Sequence, residues 1–148
     1  MRRILIASLT ASLSLSACSD RDLPGRYRRL DVPAGRLASV DVQRQGRAIF
    51  LERCALCHGA FADGRGIRRR DLPSRARDLT DVEWQRRTSD RRLFFVISEG
   101  LHGTAMPAWK GTLVAGEIWS VVAYLRILGP QPGAEADEAP RGPSPRPA

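Results

Sequence analysis

The sequence predicts an all-α domain over residues 41–129, and three observations favour it. The last apolar segment repeats at three- and four-residue steps, as one face of a helix does. Its apolar positions are Ile118, Val121, Val122, Leu125 and Leu128. Helix start and stop signals frame the segments before it, and no segment alternates apolar and polar residues as a half-buried strand would. A chain of 148 residues therefore holds one modest helical domain between two tails.

The first helix of this domain is predicted to begin near Asp41. Val42, Ile49 and Phe50 are spaced to share one side of it. Gly46 lies inside the pattern, where glycine costs about 1 kcal/mol relative to alanine. A glycine kept at that cost indicates that another backbone passes close by.

Two shorter helices are predicted between residues 80 and 100. Thr80-Asp81-Val82-Glu83 has the pattern of a capping box and opens a helix that carries Trp84. Ser89 is the next N-cap, and Gly100 ends the helix that follows. Gly129-Pro130 ends the last helix of the domain.

A Cys-x-x-Cys-His run, residues 54–58, follows the first helix directly. This run is the attachment signature of c-type haem. The thiols of Cys54 and Cys57 would add to the haem vinyl groups as thioethers, and His58 would bind the iron as an axial ligand. A zinc site would need two more ligands, and only Cys18 and His102 remain, far apart in the sequence. A thioredoxin-like dithiol would need βαβ patterning, which is absent, so the sequence predicts one covalent haem c.

Three residues after this motif are candidates for the second axial position. Met106 lies 48 residues beyond His58 and precedes Pro107, which stiffens the loop that presents the sulfur. A soft thioether ligand raises the reduction potential of haem iron. His102, in the same loop, is a stronger ligand and would lower the potential, and Lys110 is the third alternative. We predict Met106 as the ligand.

Together these motifs resemble a class I monohaem cytochrome c over residues 43–128. The matching elements are Gly46-x-x-x-Phe50, Cys54-x-x-Cys57-His58-Gly59, Asp63-Gly64-x-Gly66, Gly103-Thr104-x-Met106-Pro107 and the helix with Trp119 and Tyr124. The resemblance implies three to five helices around one covalent haem c, with the N- and C-terminal helices crossing.

The resemblance also implies particular contacts. Glycine and aromatic residues meet where the two helices cross, which would pair Phe50 with Tyr124 and explain Gly46. A carbonyl oxygen would accept the N–H of His58, and Pro73 matches the residue that supplies it.

The chain begins with features of an export signal. Residues 1–17 combine a basic start with a short apolar segment, and Leu15-Ser16-Ala17-Cys18 resembles the lipobox of bacterial lipoproteins. The resemblance implies cleavage before Cys18 and lipid on its sulfur, which would anchor the protein at the periplasmic side of a membrane. Ordinary cleavage after Ala17 would instead leave it soluble in the periplasm. Residues 18–40 contain Pro and Gly with little periodicity and are predicted to be a flexible tether.

The C-terminal segment is rich in proline, and the chain carries a large positive charge. Residues 130–148 hold six of the ten prolines and are predicted to be disordered. The net charge is +8, almost entirely from arginine, without any nucleic-acid motif. The run Arg68 to Arg70 would meet an acidic partner or the haem propionates, or form a solvated cluster.

The predicted function is one-electron transfer to and from redox protein partners. A haem subunit of a membrane dehydrogenase or terminal oxidase would use the same local chemistry. A peroxidase or gas-binding protein would need an open iron position. No small-molecule substrate site or catalytic residue is predicted in the chain.

Overall fold

The computed structural model describes residues 20–129, and this part is all-α, as predicted. Its helices are α1 (Gly25–Arg28), α2 (Ala34–Leu37), α3 (Val40–Arg53), α4 (Ala55–His58), α5 (Val82–Arg87), α6 (Asp90–Glu99) and α7 (Ala115–Leu128), with 3₁₀ turns at Asp20–Asp22 and Ile67–Arg70. The predicted signal peptide, Cys18 and the tail at 130–148 lie outside the described residues. Within residues 20–129, no helix combines the length and apolar composition needed to cross a membrane.

The most extensive contact between two helices of the described residues joins α3 to α7. A glycine in α3 allows the two backbones to approach closely. A Cβ atom built on Gly46 would lie 1.8 Å from the carbonyl oxygen of Ser120. The Phe50 and Tyr124 rings meet beside it, with centroids 5.3 Å apart. The expected close approach at Gly46 and the pairing of Phe50 with Tyr124 are both confirmed.

The core lies between α3, α6 and α7. Its largest fully buried apolar side chains come from α3 and α7, and they are Phe50, Ile118, Val121 and Val122. Helix α6 adds Phe94, whose ring lies 4.5 Å from that of Trp119. Since eight successive residues of α7 are buried, this helix is the central element of the domain.

Local capping signals place the two shorter helices. Ser89 accepts a hydrogen bond from the Arg92 amide and caps α6, as predicted. Asp81, rather than Thr80, caps α5, since its carboxylate accepts from the Trp84 amide at 3.0 Å. Thr80 instead donates to the Asp78 carboxylate, so the helix begins one residue later than the capping-box pattern predicted.

The N-terminal segment, residues 20–39, differs from the flexible tether predicted for residues 18–40. It forms α1 and α2, and Leu23 and Tyr27 are buried in the core. The Tyr27 ring packs edge-on against Phe95, with centroids 4.9 Å apart, and Arg91 donates to the Leu30 carbonyl oxygen at 2.7 Å. Burial of Leu23 and Tyr27 therefore holds in place a segment whose Pro and Gly content predicted no fixed structure.

Candidate haem-binding site

The Cys-x-x-Cys-His residues lie on a single helical turn. Cys54 ends α3 and begins α4, and its carbonyl oxygen accepts hydrogen bonds from the amides of Cys57 (3.1 Å) and His58 (2.9 Å). Neither cysteine is in a disulfide within the described residues, and all three side chains are half-buried. One short turn thus carries two cysteines and one histidine, the residues that attachment of haem c requires.

The imidazole of His58 is oriented by a backbone carbonyl. Its Nδ1 donates to the carbonyl oxygen of Arg77 at 3.0 Å. Because a carbonyl oxygen only accepts, Nδ1 carries the proton and Nε2 keeps its lone pair for a metal. Burial lowers the pKa of His58, and the Arg77 hydrogen bond opposes this in part, so the neutral form that binds metals is favoured.

The resemblance implied that Pro73 supplies the carbonyl oxygen that accepts from His58, but the structure shows Arg77 in this role. Pro73 is exposed, and the chain reaches His58 only four residues later. The Leu79 amide donates to the Ala62 carbonyl oxygen at 2.8 Å, with Leu79 buried. This anchor fixes Arg77 beside the histidine and leaves the residues before it to loop outward.

Burial raises the pKa of the Cys54 thiol to about 11, with the charge of Cys57 adding to the effect. A neutral thioether suits such a desolvated position better than a charged thiolate does. Within residues 20–129, no group of three or more His, Cys, Asp or Glu side chains comes together as a metal site.

The loop after the histidine is tied back onto α4. The Gly64 amide donates to the His58 carbonyl oxygen (2.8 Å), and the Gly66 amide donates to that of Cys57 (3.2 Å). The Asp63 carboxylate accepts from the Arg65 amide and closes the turn. These bonds satisfy the carbonyl groups at the end of a helix that is only one turn long.

Met106 lies in a closed turn after α6. Helix α6 ends at Gly100, whose φ is 74° and whose built Cβ would lie 2.7 Å from the Met106 carbonyl oxygen. That oxygen accepts from the Leu101 amide, and the Met106 amide donates to Thr104 Oγ1, both at 3.1 Å. These two bonds hold the Met106 backbone on both sides, and the residue is half-buried.

The other candidates have different surroundings. His102 is exposed. The Lys110 ammonium group lies 2.6 Å from Glu99 Oε2 in an ion pair. Arg68 to Arg70 are exposed on the 3₁₀ turn that contacts α4, which places their charge beside the Cys-x-x-Cys-His turn.

Sequence reasoning missed two features of this region. The Arg77 carbonyl group has no side-chain signature, so no residue pattern identifies it. Glu99 binds side chains from two distant segments, and its only sequence signal is its position directly before the helix-ending Gly100.

Comparisons with known proteins agree with this architecture. The model of the family "Cytochrome C oxidase, cbb3-type, subunit III" matches residues 41–125. The chain is 34% identical over 84 residues to the Cbb3-type cytochrome c oxidase subunit FixP of Bradyrhizobium sp. (strain ORS 278). It is 33% identical over 85 residues to subunit CcoP of Cereibacter sphaeroides. Each match covers 57% of this chain and 27% of the relative.

A solved structure shares the fold. A chain of the Kuenenia stuttgartiensis reducing HAO-like protein complex Kustc0457/Kustc0458 superposes with a TM-score of 0.57 at 24% identity. The match covers 62% of this chain and 46% of that one. The family model matches more than half of the present chain, which therefore belongs to the cytochrome c oxidase, cbb3-type, subunit III family. Its c-type cytochrome domain carries covalently bound haem c.

Proposed function

We propose that this domain transfers single electrons through a haem c whose iron is held by His58 and Met106. The observation that carries the proposal is the hydrogen bond from His58 Nδ1 to the Arg77 carbonyl oxygen. It leaves Nε2 available on the same turn as the two cysteines. The hydrogen-bonded turn around Met106 supports the second half of the proposal, since it fixes the backbone from which the thioether extends.

The residues have separate roles in this function. The haem supplies the one-electron chemistry when bound. Cys54 and Cys57 hold it covalently, and the Arg77 carbonyl group orients His58 and increases its basicity. The thioether of Met106 favours the reduced metal and raises the potential. Together, His58 and Met106 would hold the metal nearly unchanged between its oxidation states.

The ferric absorption spectrum tests the proposed ligand pair. The holoprotein is expected to show the weak far-red band that marks methionine bonding to ferric haem iron. Met106→Ala should remove this band and lower the reduction potential. His102 is exposed and lies four residues earlier in the same loop. His102→Ala should therefore leave the far-red band and the reduction potential unchanged.

Two outcomes would contradict the proposal. An unchanged spectrum in Met106→Ala would transfer the role to His102 or Lys110. A five-coordinate high-spin wild-type spectrum, or ready binding of carbon monoxide by the ferrous protein, would favour a peroxidase or gas-binding function.

We also propose that the domain works at the periplasmic side of a bacterial membrane, anchored by lipid on Cys18. The lipobox-like sequence before Cys18 supports this. The native protein should then fractionate with membranes, and Cys18→Ser should release it. If both partition alike, the lipid anchor is wrong.

The second candidate is an electron-relaying subunit of a terminal oxidase complex. The family match and the names of the relatives favour it, although the chain spans only about a quarter of their length. Purification from solubilised membranes with haem staining separates the two functions. A stoichiometric oxidase partner would support the subunit, and recovery of the chain alone would support the free carrier.

A further inference from the structure

Glu99, the last residue of α6, joins two segments that are far apart in the sequence. Its Oε2 accepts from the Lys110 ammonium group at 2.6 Å. Its Oε1 accepts from Arg26 at 2.8 Å and from the hydroxyl group of Tyr27. The side chain is only 18% exposed. One carboxylate is therefore shared between the N-terminal segment and the loop that carries Met106.

The loop side of this junction is short and well ordered. The amides of Trp109 and Lys110 donate to the carbonyl oxygens of Ile97 (3.0 Å) and Ser98 (3.2 Å), in the last turn of α6. Lys110 is four residues beyond Met106. Together with Gly100, which packs against the Met106 carbonyl group, these contacts fix both ends of the methionine turn to the end of α6.

The N-terminal side of the junction is fixed independently. The Tyr27 ring packs against Phe95 and, with centroids 6.3 Å apart, against Phe94. The Arg26 guanidinium group lies 4.9 Å from the centroid of the Tyr27 ring. Because the ring is anchored in the core, its hydroxyl group meets Glu99 in a preset position.

We propose that Glu99 is a positioning residue that holds the Met106 loop closed by linking it to the N-terminal segment. This inference rests on the proposed role of Met106 as an iron ligand. The carboxylate bonds to Lys110 keep the loop against α6, and the bonds to Arg26 and Tyr27 keep the carboxylate turned toward Lys110. Loss of the link should make the methionine sulfur leave the iron more often, without removing it from the site.

The charge state of Glu99 agrees with this role. The hydrogen bonds from Lys110 and Tyr27 hold the pKa of Glu99 at about 2, against a smaller opposing effect of burial. The carboxylate is therefore ionised throughout the neutral range. Charge-assisted hydrogen bonds of this kind are stronger than those between neutral groups.

Imidazole binding to the ferric holoprotein measures how often the loop opens. Imidazole can bind the iron only when the methionine sulfur has left it. At high imidazole concentration the observed binding rate therefore reaches a plateau, which equals the rate of loop opening. Glu99→Gln should raise this plateau about 5- to 30-fold, the factor that corresponds to one or two kcal/mol. Glu83→Gln is the matched control. Its carboxylate is 62% exposed, pairs with Arg87 on α5, and should leave the plateau unchanged.

Tyr27→Phe provides a second variant that keeps the ring in the core. It removes only the hydroxyl group and should raise the plateau roughly 2- to 10-fold, as expected for one lost hydrogen bond. Because Tyr27 is 79 residues before Met106 in the sequence, acceleration by this variant would demonstrate the link through Glu99. It also decides the question if Glu99→Gln does not fold.

The outcomes separate this inference from the proposed function. Wild-type plateaus in both Glu99→Gln and Tyr27→Phe would overturn the role of Glu99, as would equal acceleration by Glu83→Gln. If Met106→Ala removes the far-red band in the same series, the ligand assignment stands while the positioning role fails. If Met106→Ala leaves the band intact, both proposals fail.

Discussion

A missing side chain at Gly46 sets how closely α3 approaches α7. The built Cβ atom would lie 1.8 Å from the Ser120 carbonyl oxygen and 2.4 Å from its carbon atom. Both neighbours are backbone atoms, so neither can move aside without shifting a helix. The glycine is therefore a packing requirement, and its unfavourable helix propensity is outweighed by the contact that it permits.

Gly46→Ala is expected to destabilise the holoprotein by about 3 kcal/mol or more, the upper range for an overpacked core. The measurement is the free energy of unfolding from guanidinium denaturation. Gly35→Ala is the control, because no atom lies within 4 Å of its built Cβ. It lies in α2 and should be neutral or stabilise by up to about 1 kcal/mol. Equal stability of Gly46→Ala and wild type would contradict the close approach.

Gly46 and the carbonyl group that accepts from His58 differ in how far the sequence could predict their roles. Gly46 could be predicted to contact a backbone, because a glycine inside a helical pattern carries a cost that needs a reason. The acceptor for His58 could not, since every residue of the loop has the same carbonyl group. The structure places Arg77 beside His58, two residues before Leu79, whose amide donates to the Ala62 carbonyl oxygen.

At the scale of elements, the long helices follow from the sequence and the short ones do not. Helix α7 has fourteen residues, long enough for its apolar period to be recognised. Helices α1 and α2 have four residues each, which is too short for any periodicity. Helix α1 buries Tyr27 beside Leu23, and α2 packs Leu37 against the core. Pro24 and Pro33 precede the helices rather than interrupt them.

Leu23→Ala distinguishes a folded N-terminal segment from a flexible tether. Leu23 is 3% exposed, so its truncation should cost about 2–5 kcal/mol of unfolding free energy. Val40→Ala, at the exposed start of α3, should change stability by no more than about 0.5 kcal/mol. If Leu23→Ala is as neutral as Val40→Ala, the segment is a tether after all.

At the scale of the whole molecule, apolar burial is distributed unevenly. The α3, α6 and α7 side contains most of the core, whereas the loop at residues 59–80 contributes only Ala62 and Leu79 to it. Large apolar side chains near the Cys-x-x-Cys-His turn remain exposed, Phe61 and Ile67 at 83% each. We therefore expect the covalently attached porphyrin to supply apolar contacts on this side that the domain's own residues do not provide.

The double variant Cys54→Ser, Cys57→Ser should consequently fold poorly. With the haem attached through Cys54 and Cys57 as proposed, this variant loses its cofactor, and a domain of about this size has little apolar area to spare. Far-UV circular dichroism is expected to show greatly reduced helicity. Met106→Ala is the matched control, because it removes the proposed iron ligand but keeps both cysteines, and it should retain nearly native helix content. Native-like helicity in the double variant would mean instead that the contact between α3 and α7, centred on Gly46 and Phe50, is sufficient to hold the domain together without its cofactor.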